Sequence, residues 1–264
     1  MSQNQTIGIV GLGWLGLALA ESLSLQDKTI WGTVSSAEKQ SDLNEKPFKT
    51  IHWEAKMGLT SELKHFLPQT DILVFNVPPS RFSQEEYFST LTEIVGEMTE
   101  ESIVLFASST GVYSQVNGEV DEKYVFKGAE LENINLKAEI LLKKLKPKNH
   151  TILRLAGLIG EDRNPVKYLS KKPSNDNPET PVNLIHRMDI IELISRLLKV
   201  PLLGETLNVV NPSHPTRRDY YINKAKLFNQ QIPHFTQIQD LSAKKMVNCS
   251  KLISYLGSYT FHEI

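Results

Sequence analysis

The chain has 264 residues, with 29 Lys+Arg against 30 Asp+Glu and a formal net charge of -1. Charges that nearly cancel exclude a polybasic nucleic-acid-binding chain and an acidic tail; 40% hydrophobic and 22% charged residues exclude wholesale disorder. Cys249 is the single cysteine, which excludes an intramolecular disulfide and an all-cysteine zinc site and fits a reducing, cytoplasmic setting.

The uncharged stretch from Ile7 to Ala20 is shorter than the roughly 18 residues a membrane-spanning helix needs. No Lys or Arg precedes it, so it lacks the basic region of a secretory signal. Four glycines inside it, Gly8, Gly11, Gly13 and Gly16, suggest a turn. Thr6–Val10 reads as a buried strand and Trp14–Leu25 as a helix. Lys28–Val34 reads as a second strand, Phe48–Trp53 as a short third and Asp71–Val77 as a fourth that Pro78-Pro79 stops. Glu85–Met98 is helical in pattern, Ser102–Ala107 is a fifth strand, Ala129–Leu145 a helix and His150–Leu155 a sixth strand. This spacing predicts an α/β fold of parallel βαβ units, and apolar runs without alternation fit strands buried on both faces. Glu161–Pro181 is polar and proline-rich and reads as a long irregular loop. Asp189–Val200 returns to helix and Glu205–Val210 to strand, and no linker separates the tail as an independent domain.

Gly11-Leu12-Gly13-Trp14-Leu15-Gly16 is a G-x-G-x-x-G that follows a strand and opens a helix, the context that gives the motif meaning. Gly11 permits the tight turn, Gly13 lets a pyrophosphate approach the backbone, and Gly16 lets helix and strand pack closely. The helix start at Trp14 and Leu15 offers N–H groups to phosphate. A plain turn that uses glycines for packing is the alternative. From Lys28 to Ala37 there is no acidic residue to hold ribose hydroxyls. Thr33, Ser35 and Ser36, with Lys39 nearby, can instead donate to a 2'-phosphate, so NADP is preferred over NAD. The competing reading makes Ser36 a helix cap.

Several further segments stand in a specific order: Asn76-Val77-Pro78-Pro79-Ser80, Ser108-Ser109-Thr110-Gly111-Val112-Tyr113, Arg154–Gly160 and Asn183–Asp189. Together with the glycine turn they resemble the NAD(P)-dependent epimerase/dehydratase family of the extended, atypical short-chain dehydrogenase/reductase superfamily, and within it the YeeZ-like subgroup. The resemblance covers nearly the whole chain. It implies one Rossmann-type domain over residues 1–264, a doubly wound parallel sheet with a small C-terminal substrate lobe contributed by about 161–182 and 212–264. It implies that Asn76, Val77 and Pro78 lie against the cofactor, and that Ser109 holds the position of the catalytic serine or threonine.

Family members with full activity carry Tyr-x-x-x-Lys on the following helix. Here one register puts Leu131 and Asn135 at those positions and another puts Asn133 and Lys137 there; neither has the tyrosine. Tyr168/Lys172 and Tyr220/Lys224 match the spacing but lie beyond the sixth strand. Ser108, Ser109 and Thr110 sit just past a central strand, where open α/β sheets bind ligands, with Ser108 as a cofactor contact; a polar turn that caps the strand is the plain alternative. Tyr113 is a candidate displaced acid or a packing residue. Asp189 is read as a helix N-cap and His186 as a candidate acid/base with no evident partner. Arg81, Arg163, Arg217 and Arg218 can clamp a phosphorylated substrate or remain solvated surface charge. No histidine spacing argues for a metal site. Two functions follow. One is an oxidoreductase-like epimerase, dehydratase or reductase acting on a small sugar-nucleotide or phosphorylated substrate. The other is a non-catalytic NADP-binding sensor. Neither involves nucleic acid or membrane, and a homodimer stays open.

Overall fold

A seven-stranded parallel sheet in the order β10-β7-β5-β4-β1-β2-β3 carries the glycine-rich turn at the end of one of its inner strands. The computed structural model describes residues 5–26, 28–163, 166, 177–235 and 244–264. Its strands are β1 Thr6–Val10, β2 Thr29–Val34, β3 Lys49–His52, β4 Ile72–Phe75, β5 Ile103–Ser109, β7 His150–Leu155 and β10 Glu205–Val209. Registers such as Ile7↔Ile30 and Ile7↔Ile72 make β1 parallel to both neighbours. Strand β4 is buried at all four positions, as its unbroken Ile-Leu-Val-Phe predicts. Two short parallel pairs lie outside this sheet: β6 Glu119–Val120 with β11 Met246–Val247, and β8 Gly157–Ile159 with β9 Leu184–His186.

The chain divides into two compact units. The first comprises Met1–Ser109, Leu131–Leu153 and Ile191–Thr206, and the second Thr110–Glu130, Arg154–Ile190 and Leu207–Ile264. The lobe expected from 161–182 and 212–264 falls inside the second unit, which also takes in Thr110–Glu130.

The first unit has an apolar core that includes Trp31, Leu73, Phe75, Tyr87, Phe106 and Leu142. Each such side chain contributes about 1.5–3 kcal/mol on burial. Phe75 stacks on Phe106 with ring centroids 5.7 Å apart, and the Trp31 indole N–H donates to Thr70 Oγ1 at 2.9 Å. Helix α1, Trp14–Leu23, buries Leu15, Leu19 and Leu23, one turn apart, with Gly16 and Ala20 beside them. Helices α2 Ala37–Asp42 and α3 Ser61–Phe66 are short, each capped by a hydroxyl, Ser36 and Thr60. Helix α4, Gln84–Gly96, opens on a capping box between Ser83 and Glu86.

Two expectations are corrected here. The fifth strand runs on to Ser109 rather than ending at Ala107, so Ser108 and Ser109 are strand residues and the turn starts at Thr110. The helix expected over Ala129–Leu145 is split. Gly128, at φ 52°, begins a 3-10 turn over Gly128–Glu132, and α5 starts only at Ile134. Asn133 is its N-cap, accepting from the N–H of Asn135 and of Leu136.

The second unit holds α6 Arg187–Leu197 in its first turn, α7 Arg217–Leu227 and α8 Ser250–Leu256. Asp189 is not the cap expected of it: α6 begins two residues earlier, and Asp189 is buried in its first turn. Tyr168/Lys172 and most of the polar loop lie outside the described residues. Among the described residues no helix is long and apolar enough to cross a membrane.

Candidate functional site

The three glycines of the turn differ in what surrounds them. Gly11 has φ +101°, a left-handed conformation that L side chains rarely adopt, and a Cβ there would meet the Asn76 carbonyl oxygen at 2.8 Å. A Cβ on Gly16 would lie 2.1 Å from the Gly11 carbonyl oxygen. Around Gly13 nothing lies within 4 Å of that position. Gly13 is also the N-cap of α1, and it brings no capping side chain, while the helix's first turn carries no acid. The turn is therefore closed at Gly11 and Gly16 and open at Gly13, where the positive end of a helix points outward.

Long-range hydrogen bonds hold this turn in place. Thr33 Oγ1 accepts from the Gly11 N–H at 2.9 Å and the Thr33 carbonyl accepts from the Leu12 N–H at 2.7 Å. Asn76 Nδ2 donates to the Gly11 carbonyl at 3.2 Å, and a Gly11 Cβ would meet Val77 Cγ1 at 2.8 Å. Lys39 Nζ reaches back to the Leu12 carbonyl at 2.5 Å, which places a cation beside the turn. Ser35 is exposed, and Ser36 Oγ accepts from the Lys39 N–H at 3.3 Å as the cap of α2.

These contacts sort the residues singled out from the sequence. Gly11, Gly13, Trp14, Leu15, Gly16, Asn76 and Val77 come together at one end of the strands, with Pro78 exposed beyond Val77. Thr33 is 2% exposed with its hydroxyl already accepting from the Gly11 N–H, so it shapes the turn. Ser108, expected as a cofactor contact, is buried, and its hydroxyl donates to Glu139 Oε1 at 2.6 Å. Ser109 is half-buried at the end of β5. Glu139 was not anticipated. Its signal was an acid on the buried α5 stripe of Leu136, Ala138 and Leu142.

At the tyrosine position, Leu131 lies in the 3-10 turn and Asn133 is committed to capping. Lys137 pairs with Glu132 at 2.5 Å. Helix α5 begins at Ile134, after both Leu131 and Asn133.

Tyr113 belongs to the second unit and is fully buried. Its hydroxyl bonds to Asn208 Oδ1 at 3.0 Å and the Asp121 carbonyl at 3.2 Å, and accepts from Arg154 Nη1. Its ring stacks on Phe126 at 5.6 Å, and the Arg154 guanidinium lies 5.0 Å from the Tyr113 ring. Burial pushes its phenol up, with Arg154 opposing in part. Tyr113, a candidate acid from the sequence, thus has its hydroxyl buried and bonded within the second unit. Tyr113→Phe removes the partner of Arg154 and Asn208 and is expected to destabilise the protein by about 1–3 kcal/mol. Denaturant unfolding with parallel cofactor titration checks this; a drop in cofactor affinity at unchanged stability would contradict it.

Other candidates scatter. Arg218 pairs with Glu179 at 2.9 Å, Arg217 lies over the Tyr221 ring, and Tyr220, one turn before Lys224, is buried. No metal-holding group of three or more His, Cys, Asp or Glu occurs among the described residues. A cleft of about 560 Å³ lined by Gln69, Asp71, Glu101 and neighbours lies where β4 and β5 begin, the opposite strand end from the glycine turn.

No family model matches the chain. The protein YeeZ of Escherichia coli K12 is 31% identical over 262 residues, covering 95% of this chain and 94% of its own. The chain belongs to the YeeZ family. The chain shares its fold with solved epimerases. UDP-glucuronic acid 4-epimerase from Bacillus cereus in complex with NAD matches at TM-score 0.76 and 15% identity, covering 98% of this chain and 93% of its own. MoeE5 in complex with UDP-glucose and NAD matches at TM-score 0.76 and 16% identity, covering 98% and 94%.

Proposed function

We propose that the chain binds an NAD(P) dinucleotide at the Gly11–Gly16 turn and acts on a small sugar-nucleotide or phosphorylated substrate as an epimerase, dehydratase or reductase. The observation that carries this reading is the bare space at Gly13 in front of the α1 N-terminus, between two glycines that admit no side chain. Backbone N–H groups of the first turn of α1 would hold the pyrophosphate. Lys39, Ser35 and Ser36 would hold the 2'-phosphate of NADP. When bound, the nicotinamide supplies hydride transfer, and the chain binds, orients and polarises, with Ser109 as the hydroxyl offered to substrate. Small molecules are its partners, and the single, buried Cys249 supports a cytoplasmic setting.

Titration calorimetry with NADP, NADPH, NAD and NADH tests this reading, and binding of none of the four overturns it. NADP is expected to bind more tightly than NAD, because no carboxylate stands from the end of β2 to Ala37 to repel the 2'-phosphate. Ser35→Asp is expected to reverse that order. An NAD-favouring parent would place the adenosine ribose elsewhere.

A second reading, a non-catalytic NADP sensor, is favoured by Leu131 and Asn133 standing outside α5 with no titratable group. General acid–base assistance contributes about 10²–10⁴-fold, so turnover on common sugar nucleotides is expected to be weak. NADPH oxidation against a sugar-nucleotide panel, with the parent and Ser109→Ala, separates the readings.

A further inference from the structure

The second unit carries a cluster of titratable side chains that the glycine turn does not use. Asp189 is 1% exposed, and its Oδ1 accepts three hydrogen bonds. They come from the Tyr259 hydroxyl at 2.7 Å, the His262 backbone N–H at 3.1 Å and His262 Nδ1 at 2.6 Å. Its other oxygen, Oδ2, is buried with no hydrogen-bond partner among the described residues. Asn211 Nδ2 donates to the His262 carbonyl at 2.8 Å, fixing the segment from a second side. The His262 ring lies 4.6 Å from that of His186, at 18° between planes.

The partners set opposite tautomers for the two neutral rings. A carboxylate on His262 Nδ1 puts that ring's hydrogen on Nδ1 and leaves a lone pair on Nε2. His186 Nδ1 accepts from the Met188 N–H at 3.3 Å, so its hydrogen sits on Nε2. Burial, with His262 beside it, holds the His186 imidazole below its usual range, and Asp189, Glu161 and Arg187 complete its charged surroundings. The His262 side chain is 47% exposed, so solvent and ligands reach it. One ring thus presents an acceptor and its neighbour a donor, the complement of a hydroxyl group, while a buried carboxylate stands behind the acceptor.

We propose that His262, backed by Asp189 and paired with His186, forms a general-base site for a ligand hydroxyl of the sugar class. The ligand O–H donates to His262 Nε2 and its oxygen accepts from His186 Nε2–H. On transfer the O–H bond breaks, the proton passes to Nε2, the electron pair stays on oxygen, and the Asp189 carboxylate balances the imidazolium. The assignment rests on the reading that the substrate is a sugar nucleotide.

Acylation of the full chain by diethyl pyrocarbonate, followed by peptide mass spectrometry, tests it. UDP-glucose is the probe, and exposed His65 and His234 are internal references. UDP-glucose is expected to protect His262 and His186 and to spare neither reference. Asp189→Asn is expected to slow acylation of His262, since the carboxylate that orients the ring is gone. His262→Gln, at a half-exposed site, is expected to abolish protection at His186 while NADP titrates as in the parent. Absence of protection while NADP still binds overturns this proposal and leaves the cofactor reading standing; loss of NADP binding in the parent overturns the cofactor reading instead. Should Asp189→Asn misfold by circular dichroism, the protection experiment decides alone.

Discussion

Gly13→Val is expected to remove dinucleotide binding while the protein stays folded. Gly13 sits at φ -79° and ψ -156°, backbone that valine adopts readily, and nothing lies within 4 Å of the added Cβ. The fold therefore tolerates the change. The branched side chain fills the space in front of the first turn of α1, which the pyrophosphate must enter. Losing two charge-assisted hydrogen bonds at about 1.5–3 kcal/mol each weakens binding by roughly 100-fold or more. Calorimetry with NADP, beside a thermal melt that matches the parent, checks this. Undiminished affinity would remove the phosphate from this turn.

Gly16→Ala is expected to act in the opposite way, through stability. Its methyl would sit 2.1 Å from the Gly11 carbonyl oxygen, a backbone atom that no rotamer change can move aside. Either α1 slides away from β1 or the turn opens, and overpacking of this kind costs about 1–3 kcal/mol. For a chain of this size that is roughly 3–10 °C in melting temperature. Scanning calorimetry reads it. A melt equal to the parent's would show that helix and turn separate freely and that close packing is not why glycine stands there.

The contrast between these glycines was legible because the whole turn is local: Gly11 to Gly16 is one strand-to-helix junction, and each position has its own steric demand. The central strands were legible for a related reason, since Ile72–Phe75 has no polar residue to give it an exposed face. What sequence reading missed depends on contacts far along the chain. Tyr113 meets Asn208, 95 residues on, and Asp189 meets His262, 73 residues on. Nothing near Tyr113 announces that Arg154 will lie against its ring. The late start of α5 was not legible, because helical propensity over Ala129–Glu132 gives no sign of a left-handed Gly128. Ser108 faced the same limit: a serine at a strand end reads as a ligand contact, and nothing local shows that its hydroxyl will donate to a buried glutamate from another element.

Thr33 has a kinetic consequence. Its side chain and carbonyl hold the N–H groups of Gly11 and Leu12, so both peptide units are tied to β2 within the chain itself. A loop that is ordered beforehand loses little conformational freedom when it takes up an anion. Under the proposed function, capture of a dinucleotide phosphate at this turn would be governed by encounter and orientation rather than by folding of the loop around its guest. Thr33 shares this ordering with Asn76, which holds the Gly11 carbonyl, and with Lys39, which holds that of Leu12.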